Sequence, residues 1–548
     1  MENLSWFGSY GPTLSSPVAA VLALMIMFTM TGGLVAFAGG NGKTALFRTG
    51  MLAGAFLFIS VFVLLFLSLR GGASVDFESV LTMLLRTALI IAAFGLFASL
   101  VGWILQQAPG DAPTFLARAT SLLFWALVAL VALWLLATLV FAADGNRGIV
   151  VLAFARFLPV WIALAVTFAL SIRYKKRLGL FGKLMDSPVG LMGLAIVLFW
   201  VFTAIFADLQ VATPAIPALG LRSYELFHIQ IITFNPLSQL SGMKNIAPGS
   251  ALQNPTEGAY PYYLLGGDHL ARDVFSRVVM GARRVLQIAP AATVFAFMVG
   301  ITLGLPAGYF GGKLDTFLSF LANLVLAFPV ILLFYLLVTP EIVETGIPMW
   351  FAAVLFVFPI IFLVVLFNSR YKTNPPRRNL YVGITLVLGL WAYSGLAFNL
   401  DPTGLFSMAP NLLNVFVSVV FVNSPGVFRI VRGLVMDLKA RDYVSAAQTR
   451  GETPWYIMLW EILPNARGPL IVDFCLRIGY TTILLGTLGF FGLGVSPESP
   501  DWGSTIDDGR RLLSIYLHPA VVPALALMSL VLGLNLLADG LREESLRD

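Results

Sequence analysis

Long stretches without a charged side chain dominate the chain. Seven of them contain no Asp, Glu, Lys or Arg, namely residues 3–42, 49–69, 87–110, 119–143, 288–312, 402–428 and 512–538. A helix needs about 20 mostly apolar residues to cross about 30 Å of hydrocarbon, and several stretches reach that length. Because a helix satisfies its own backbone hydrogen bonds in lipid, and because the runs do not alternate as barrel strands do, they predict an all-α polytopic membrane protein.

The same pattern predicts about thirteen transmembrane helices. We place them at about residues 17–38, 50–69, 87–106, 120–141, 149–171, 188–207, 288–308, 316–338, 349–367, 380–398, 412–432, 470–491 and 519–537. A long polar stretch, residues 208–286, separates the sixth predicted span from the seventh.

Basic residues orient these spans. Five Lys and Arg residues cluster between residues 173 and 183, which places that loop in the cytoplasm. Counting spans outward then puts residues 370–378, 439–450 and the C-terminus inside. It leaves the N-terminus and the stretch 208–286 outside. Loops as long as the latter are translocated whatever their charge, so its arginines do not oppose this orientation.

Composition excludes a soluble protein. Hydrophobic residues make up 58% of the chain and charged residues 11%, whereas a soluble domain carries about 25% charged residues. The net charge of +6 reflects basic helix ends in the cytoplasm and does not indicate nucleic-acid binding. Cys475 is the single cysteine, so no intrachain disulfide is expected. The N-terminus lacks a basic region, so we expect no cleaved signal peptide.

One cytoplasmic segment, residues 442–464, carries the pattern of two short helices joined by a turn. An Ala-Ala pair favours a helix over residues 442–450, and Gly451 fits the position after it, where the backbone is left-handed. Thr453 can cap a second helix with a proline at its first position, and Pro464 is expected to end that helix. The pattern alone is equally consistent with an ordinary interfacial loop.

The segment resembles the EAA loop of ABC importer permeases, in which an Ala-Ala pair, a Gly four residues after it and a later Leu-Pro recur. In that family the loop forms the coupling helices that sit in a groove of the ATPase subunit. Ser445 stands where the family usually has Glu, so any salt bridge made by that Glu would be missing. The resemblance assigns the coupling role to Tyr443, Ala446, Ala447, Gly451, Leu463 and Pro464.

A second, ordered set of motifs is similar to the C-type permeases of dipeptide and oligopeptide importers, the peptide/nickel family. Residues 264–274 resemble its Leu-Gly-Thr-Asp…Gly-Arg-Asp motif, with Gly267 for the usual Thr and Ala271 for the usual Gly. The motif residues of this outer loop are Asp268, Arg272 and Asp273. Further matches follow in the family's order at 276–277, 281–283, 307–315, 327–329, 464–465, 476–480, 492–494, 502–503 and 538–542.

Two regions depart from this family's pattern. Residues 1–172 add about five spans before the point where typical members begin, and residues 340–410 add two spans between the family's third and fourth. We therefore expect an N-terminal extension over 1–172 and a permease core over 173–548. The core would hold six family helices, the extracytoplasmic loop 208–286 and the coupling loop 442–464, and both additions would be peripheral to it.

The resemblance implies a permease subunit of a bacterial ABC importer in the inner membrane. Its partners would be a homologous B-type permease, two ABC ATPase subunits or domains, an extracytoplasmic substrate-binding protein and membrane lipid. The chain would bind no cofactor and catalyse no reaction, because the partner subunits would use the ATP. The expected cargo is a di- or oligopeptide, and relatives also carry nickel complexes, oligosaccharides or opine-like solutes.

Two other classes of protein remain open from the residues alone. An ion-coupled secondary transporter would need ionisable residues along a path through the membrane, and the charge-free central runs count against it. A membrane scaffold would use the extra spans to recruit another protein. Deleting residues 1–172 and measuring uptake would separate a scaffold from a transporter.

Residues 39–44 look like the end of a phosphate-binding P-loop. The full pattern requires a glycine where Phe37 stands, and the site lies between two predicted membrane helices. We therefore expect no nucleotide site in this chain. The three histidines are far apart in sequence, which gives no metal-binding pattern, and no catalytic residue is identified.

Charged and small residues inside the predicted spans are the last candidates. Asp473 and Arg477 lie one helical turn apart, so we expect them to pair, either as a gate in the transport cycle or as a static structural pair. Gly300, Gly304 and Gly308 follow each other at four-residue spacing, which is typical of close helix packing in membranes.

Overall fold

The computed structural model describes residues 3–4, 148–212, 226–229, 231–253, 260–404, 406, 408–493 and 499–546. Within them the apolar runs form helices. The helices are α1 Gly148–Arg156, α2 Leu158–Arg173, α3 Leu180–Leu184, α4 Pro188–Phe206, α5 Val274–Phe310, α6 Gly312–Ala327, α7 Val330–Val338, α8 Pro340–Glu344, α9 Ile347–Leu355, α10 Val357–Arg370, α11 Pro375–Phe398, α12 Pro410–Leu438, α13 Asp442–Thr449, α14 Pro454–Tyr456, α15 Leu463–Asn465, α16 Arg467–Phe490, α17 Trp502–Arg510 and α18 His518–Leu546. A 3₁₀ turn covers Lys175–Arg177, and a π-helix covers Ile457–Ile462.

Four short strands complete the secondary structure of the described residues. Strand β1 (Leu209–Ala212) pairs antiparallel with β2 (Leu226–Ile229), so that Leu209 lies opposite Ile229. Strand β3 (Ser250–Ala251) pairs antiparallel with β4 (Tyr262–Tyr263). All four lie in the stretch predicted to be extracytoplasmic, so the described part of the chain is helical wherever it is continuously apolar.

The long helices agree with the predicted spans. Seven are long and apolar enough to cross a membrane when α9 and α10, which adjoin at Phe356, are taken as one helix over residues 347–370. The number reaches nine if each of two bent helix pairs counts as one span. These nine correspond to the spans predicted between residues 149 and 537. The four spans predicted between residues 17 and 141 lie outside the described residues, so the total of thirteen stays a prediction.

Two predicted spans are broken helices. The fifth predicted span is divided into α1 and α2 at Phe157, next to Arg156, where the apolar run is interrupted. The eighth is divided into α6 and α7, which bend by 91°. The second break falls at Phe328 and Pro329, because Phe328 is extended and proline has no N–H group to continue the helix.

Contacts between residues divide the chain into two compact units. The described part of the first unit contains residues 3–4, α1, residues 239–253 and 260–274, and residues 509–519. Its core includes Met243, Tyr263 and Leu264, all fully buried or nearly so. The β3–β4 pair and a hydrogen bond from Leu4 N to Gly249 O at 2.8 Å tie this unit together.

The second unit contains the remaining described helices. Within it α2 packs on α4, and the ring of Phe199 lies 5.3 Å from the rings of both Phe157 and Trp161. Residues 157–173, which we assigned to the N-terminal extension, therefore pack on the first helix of the expected family core. The contact boundary falls between Arg156 and Phe157.

Helix α5 begins earlier than predicted. The predicted outer loop ran to residue 286, but the helix starts at Val274 and continues for 37 residues. Its first turns contain three arginines, which lower the local hydrophobicity, so this part of the helix was not recognised as part of a span. Arg277 is fully buried, and its Nη2 donates to Ser499 O at 3.3 Å and lies 3.9 Å from Asp508 Oδ2. Residues 274–284, which were predicted to belong to the outer loop, thus form the outer end of a spanning helix.

The glycine stripe of α5 packs on α12. A Cβ atom added at Gly300, Gly304 or Gly308 would approach a valine side chain of α12 to 2.6, 2.9 or 2.8 Å. The valines concerned are Val427, Val431 and Val435. The glycines of α5 and the valines of α12 both recur every four residues, so each glycine leaves space for one valine of the facing helix. The stripe is a helix-packing surface, as its spacing predicted.

The inserted helices pack on this helix pair along one face. Ala352, Leu355 and Phe356 of the 340–410 insertion are buried in one apolar cluster with residues of α5 and α12. The Phe356 ring lies 5.1 Å from Phe295 and 5.8 Å from Phe416, both edge-on. The two spans of the insertion are nevertheless the least buried of the long apolar helices, so its peripheral position stays a prediction.

Candidate functional site

The segment of residues 442–464 folds as two short helices joined by a tight turn. Helix α13 ends after Thr449, and Gly451 has a left-handed φ of +79°. Two hydrogen bonds close the turn, from Gly451 N to Gln448 O at 2.9 Å and from Glu452 N to Ala447 O at 3.2 Å. This is the Schellman arrangement, which glycine favours because it has no Cβ atom. We call residues 442–465 the coupling hairpin.

The second half of the hairpin differs from the prediction. Thr453 has extended backbone angles and Pro454 occupies the first helical position, but the Thr453 side chain makes no capping hydrogen bond. The chain continues through the π-helix Ile457–Ile462, and Pro464 lies inside α15. Pro464 therefore does not end the helix. It is the second residue of α15, directly after the π-helix.

One face of the coupling hairpin is buried. Val444, Ala447 and Met458 are fully buried, and Ile457 nearly so, in one apolar cluster with the cytoplasmic halves of α5 and α12. Phe297 and Leu305 of α5 and three valines of α12 belong to the same cluster. The hairpin is thus part of the same packed body as the α5–α12 helix pair.

The opposite face is exposed and carries small side chains beside larger ones such as Arg450 and Trp455. Ala446, Gly451 and Pro464 are exposed, while Tyr443 and Leu463 are half-buried. Burial raises the pKa of the Tyr443 hydroxyl above its ordinary value, so this group is uncharged at neutral pH. Of the residues assigned to coupling by resemblance, only Ala447 points fully into the protein. The exposed face can therefore receive another protein at close range.

Polar contacts fix the hairpin at both ends. Arg450 Nη2 donates to Glu461 Oε1 at 2.7 Å and joins the two halves of the hairpin. Lys439 Nζ, just before α13, donates to Gly308 O at 2.9 Å at the end of α5. Gln448 Nε2 lies 3.3 Å from Tyr309 Oη. Together with the shared apolar cluster, these contacts attach the hairpin to α5 as well as to α12.

The outer-loop motif, in the first unit, is a buried charged turn. Arg272 Nε donates to Asp268 Oδ2 at 2.6 Å, and both side chains are almost fully buried. Asp268 Oδ1 also accepts hydrogen bonds from Leu270 N at 2.8 Å and Arg272 N at 2.9 Å. Asp273 is fully buried, and its backbone forms an isolated antiparallel β-bridge with Gly267. The structure brings all three motif residues into one turn.

Two substitutions in this motif have structural consequences. Ala271 has a φ of +63°, a left-handed conformation that glycine adopts more readily. A Cβ atom at Gly267 would come within 2.2 Å of Met243 O, so the threonine usual in the resembled family does not fit this backbone. Tyr263 Oη donates to Ala271 O at 2.9 Å. Burial, followed by the Asp273 and Asp268 carboxylates, raises the pKa of Tyr263 well above its ordinary value.

Asp473 and Arg477 meet inside α16, as their spacing predicted. Arg477 Nε donates to Asp473 Oδ2 at 2.7 Å, and the side chains are 14% and 17% exposed. The Arg477 guanidinium also covers Gly426 of α12, where an added Cβ atom would lie 2.7 Å from Arg477 Nη1. The pair therefore connects α16 with α12. Its geometry fits a static pair and a gate equally well.

Several polar contacts of the second unit were missed from sequence. Trp502 is fully buried, its Nε1 donates to Val278 O at 2.8 Å, and its ring fills the space beside Gly281. Arg432 Nη2 of α12 donates to Asp315 Oδ2 of α6 at 2.6 Å. Gly281, Asp315 and Trp502 belong to the ordered motifs at 281–283, 307–315 and 502–503, but nothing in the sequence signalled their partners, which lie far away in the chain.

Residues 39–44, the P-loop-like stretch, lie outside the described residues. The expectation that the chain holds no nucleotide site therefore stays a prediction.

Comparison with known proteins identifies the family. Residues 300–543 match the family of binding-protein-dependent transport system inner membrane components. The glutathione transport system permease protein GsiD of Pectobacterium atrosepticum is 30% identical over 287 residues, 52% of this chain and 73% of the relative. The dipeptide transport system permease protein DppC of Alkalihalophilus pseudofirmus is 29% identical over 315 residues, which are 58% of this chain and 80% of the relative. GsiD of Escherichia coli is 31% identical over 294 residues, which are 53% of this chain and 74% of the relative.

The matched region contains the glycine stripe, the coupling hairpin and the Asp473–Arg477 pair. The many apolar helices agree with a multi-pass protein of the inner membrane. The fold, the ordered motifs and these similarities lead to one conclusion: the chain belongs to the family of binding-protein-dependent transport system inner membrane components and is a permease of an ABC importer.

Proposed function

We propose that this permease carries di- or oligopeptides, including small peptides of the glutathione type, into the cell. The support for a peptide cargo is that the relatives named above transport dipeptides and glutathione. The chain would act with a homologous B-type permease, two ATPase subunits or domains and an extracytoplasmic substrate-binding protein. It would bind no cofactor and catalyse no reaction itself, because the partner subunits would hydrolyse ATP.

The observation that carries the proposal is the two-sided coupling hairpin. Its buried face shares one apolar cluster with α5 and α12, and its exposed face contains Ala446 and the turn at Gly451. A partner that pushes or pulls the exposed face would displace the two helices together. We infer that the ATPase contacts this face and that its movement reaches the membrane through the α5–α12 pair.

Isolation of the complex tests the assembly. The tagged chain, purified gently from membranes, should retain a second permease and an ATPase, and the binding protein should join when peptide is added. ATP hydrolysis by the reconstituted complex should increase with peptide-loaded binding protein. A complex without any ATPase would defeat the proposal, and stimulation by a nickel complex or an oligosaccharide alone would overturn the peptide cargo.

Replacement of Gly451 by valine tests the hairpin. Valine at a left-handed φ costs about 1–2 kcal/mol, so the turn should distort, and both ATPase association and uptake should fall. Gly346 is a matched control because its φ is +75° and the space around its Cβ position is equally open, but it precedes α9. Gly346→Val should keep the ATPase bound. Equal retention of the ATPase by both variants would exclude Gly451 from the docking turn.

A further inference from the structure

The inserted helices reach the coupling hairpin directly. Trp460 Nε1 donates to Ser369 Oγ of α10 at 3.1 Å, and the Ser369 side chain is buried. The guanidinium of Arg370, the last residue of α10, lies 4.5 Å from the centroid of the Trp460 ring. Two adjacent residues of the insertion thus hold one side chain of the hairpin, by a hydrogen bond and by a cation–π contact.

Apolar contacts extend the same interface. Phe362, Val365 and Leu366 of α10 pack against the cluster that contains the buried face of the hairpin. Residues three and four apart lie on one face of a helix, so these three residues form a stripe that leads to Ser369. The insertion therefore packs on the apolar cluster that the hairpin shares with α5 and α12, in addition to holding Trp460.

Trp460 stands in the π-helix of the hairpin. The six residues Ile457–Ile462 form this wider turn, and π-helical turns are rare and occur frequently at functional sites. Glu461, the next residue, holds Arg450 at the end of α13. A shift of α13 therefore reaches Trp460 through one ion pair and reaches α10 through Ser369 and Arg370.

We propose that the insertion is a second transmission arm of the permease. In it Ser369 and Arg370 are positioning residues that act through Trp460 and hold the coupling hairpin against α10, so that hairpin movement is delivered to α10 and α11 as well as to α5 and α12. The proposal rests on the proposed function in one respect, namely that the ATPase acts on this hairpin. It assigns a working role to residues 340–410.

The test is the number of ATP molecules hydrolysed per peptide transported, measured in proteoliposomes with the whole complex. Trp460→Phe keeps the ring and removes the N–H donor, and Arg370→Gln removes the cation. Each variant should raise that ratio about three- to tenfold, the range expected for losing one hydrogen bond or one cation–π contact. Arg370→Lys keeps a cation above the ring and should restore most of the coupling.

Arg377→Gln is the matched charge control, since Arg377 is exposed and begins the helix that follows the same cytoplasmic turn. It should keep the wild-type ratio. Ser369→Ala, the smallest change at the interface, decides the matter if Trp460→Phe does not assemble. A purely structural role would lower the amount of complex and leave the ratio unchanged.

The outcomes separate this inference from the proposed function. A wild-type ratio in Trp460→Phe, Arg370→Gln and Ser369→Ala, together with loss of coupling in Gly451→Val, would overturn the transmission arm and leave the importer intact. A ratio that rises equally in Arg377→Gln would also overturn it, since the effect would then follow loop charge. Absence of peptide-stimulated hydrolysis in the wild-type complex would overturn the proposed function itself.

Discussion

Adding one methyl group at Gly300 should destabilise the permease. The new Cβ atom would lie 2.6 Å from Val427 Cβ and Cγ1 and 2.9 Å from Phe428 N, about 1 Å closer than carbon atoms pack at rest. Because one of these atoms belongs to the backbone, rotation of the valine alone does not relieve the contact. Overpacking of this kind costs about 1–3 kcal/mol.

Helix propensity acts in the opposite direction and is removed by a control. Alanine favours a helix interior over glycine by about 1 kcal/mol, at Gly300 as elsewhere. Gly433, in the interior of α12, has no atom within 4 Å of its Cβ position, so Gly433→Ala experiences the propensity gain without a clash. The difference in stability between the two variants should therefore equal the overpacking cost of about 1–3 kcal/mol, with Gly300→Ala the less stable.

Thermal unfolding of both variants in one detergent measures this difference. Gly300→Ala should unfold at a lower temperature than Gly433→Ala and should transport less, because α5 and α12 carry the coupling hairpin. Equal unfolding temperatures would refute the reasoning, since they would mean that the two helices separate without cost. Gly300→Leu should enlarge the effect, which excludes a change confined to the unfolded chain.

Three further outcomes follow from the structure. Ala271→Gly should stabilise the outer loop by about 0.5–1 kcal/mol, because relief of the left-handed φ exceeds the added entropy of the unfolded chain, and slower proteolysis of that loop would show it. The raised pKa of Tyr263 contributes stability below the unfolded value of 10.0 that is lost as pH rises above it, so Tyr263→Phe should flatten the alkaline loss of stability; an unchanged slope would contradict this. Asp473→Asn and Arg477→Gln should each destabilise α16 by about 1–3 kcal/mol, the cost of leaving the partner without its hydrogen bond. Exchange of the two residues should restore stability if the pair is static; restored stability without transport would instead favour a gate.

Local signals predicted the parts of the structure that depend on few neighbours. The transmembrane spans could be predicted from the length and apolarity of the charge-free runs, because the hydrocarbon core of the bilayer requires both. The turn at Gly451 follows from one residue type, because the left-handed φ and two backbone hydrogen bonds lie within six residues. The Asp473–Arg477 contact follows from helical spacing alone.

Features that depend on distant neighbours could not be predicted in this way. Arg277 looked like a loop residue because its partners, Ser499 and Asp508, lie more than 200 residues away in the chain. The contact of Trp460 with Ser369 joins residues 91 positions apart, across an insertion that was expected to be peripheral. Pro464 was expected to end a helix because proline usually does so. The helix continues past it directly after a π-helix, and the π-helix has no sequence signature.

The contact between Ser369 and Trp460 also restricts how the chain threads the bilayer. Two side chains joined by a 3.1 Å hydrogen bond lie in the same compartment, so the segment between them crosses the membrane an even number of times. Helices α11 and α12 thus both cross or both fail to cross. Once Cys475 is replaced, cysteines introduced on the α10–α11 turn and on the exposed face of the coupling hairpin should therefore react with the same membrane-impermeant reagent from the same side.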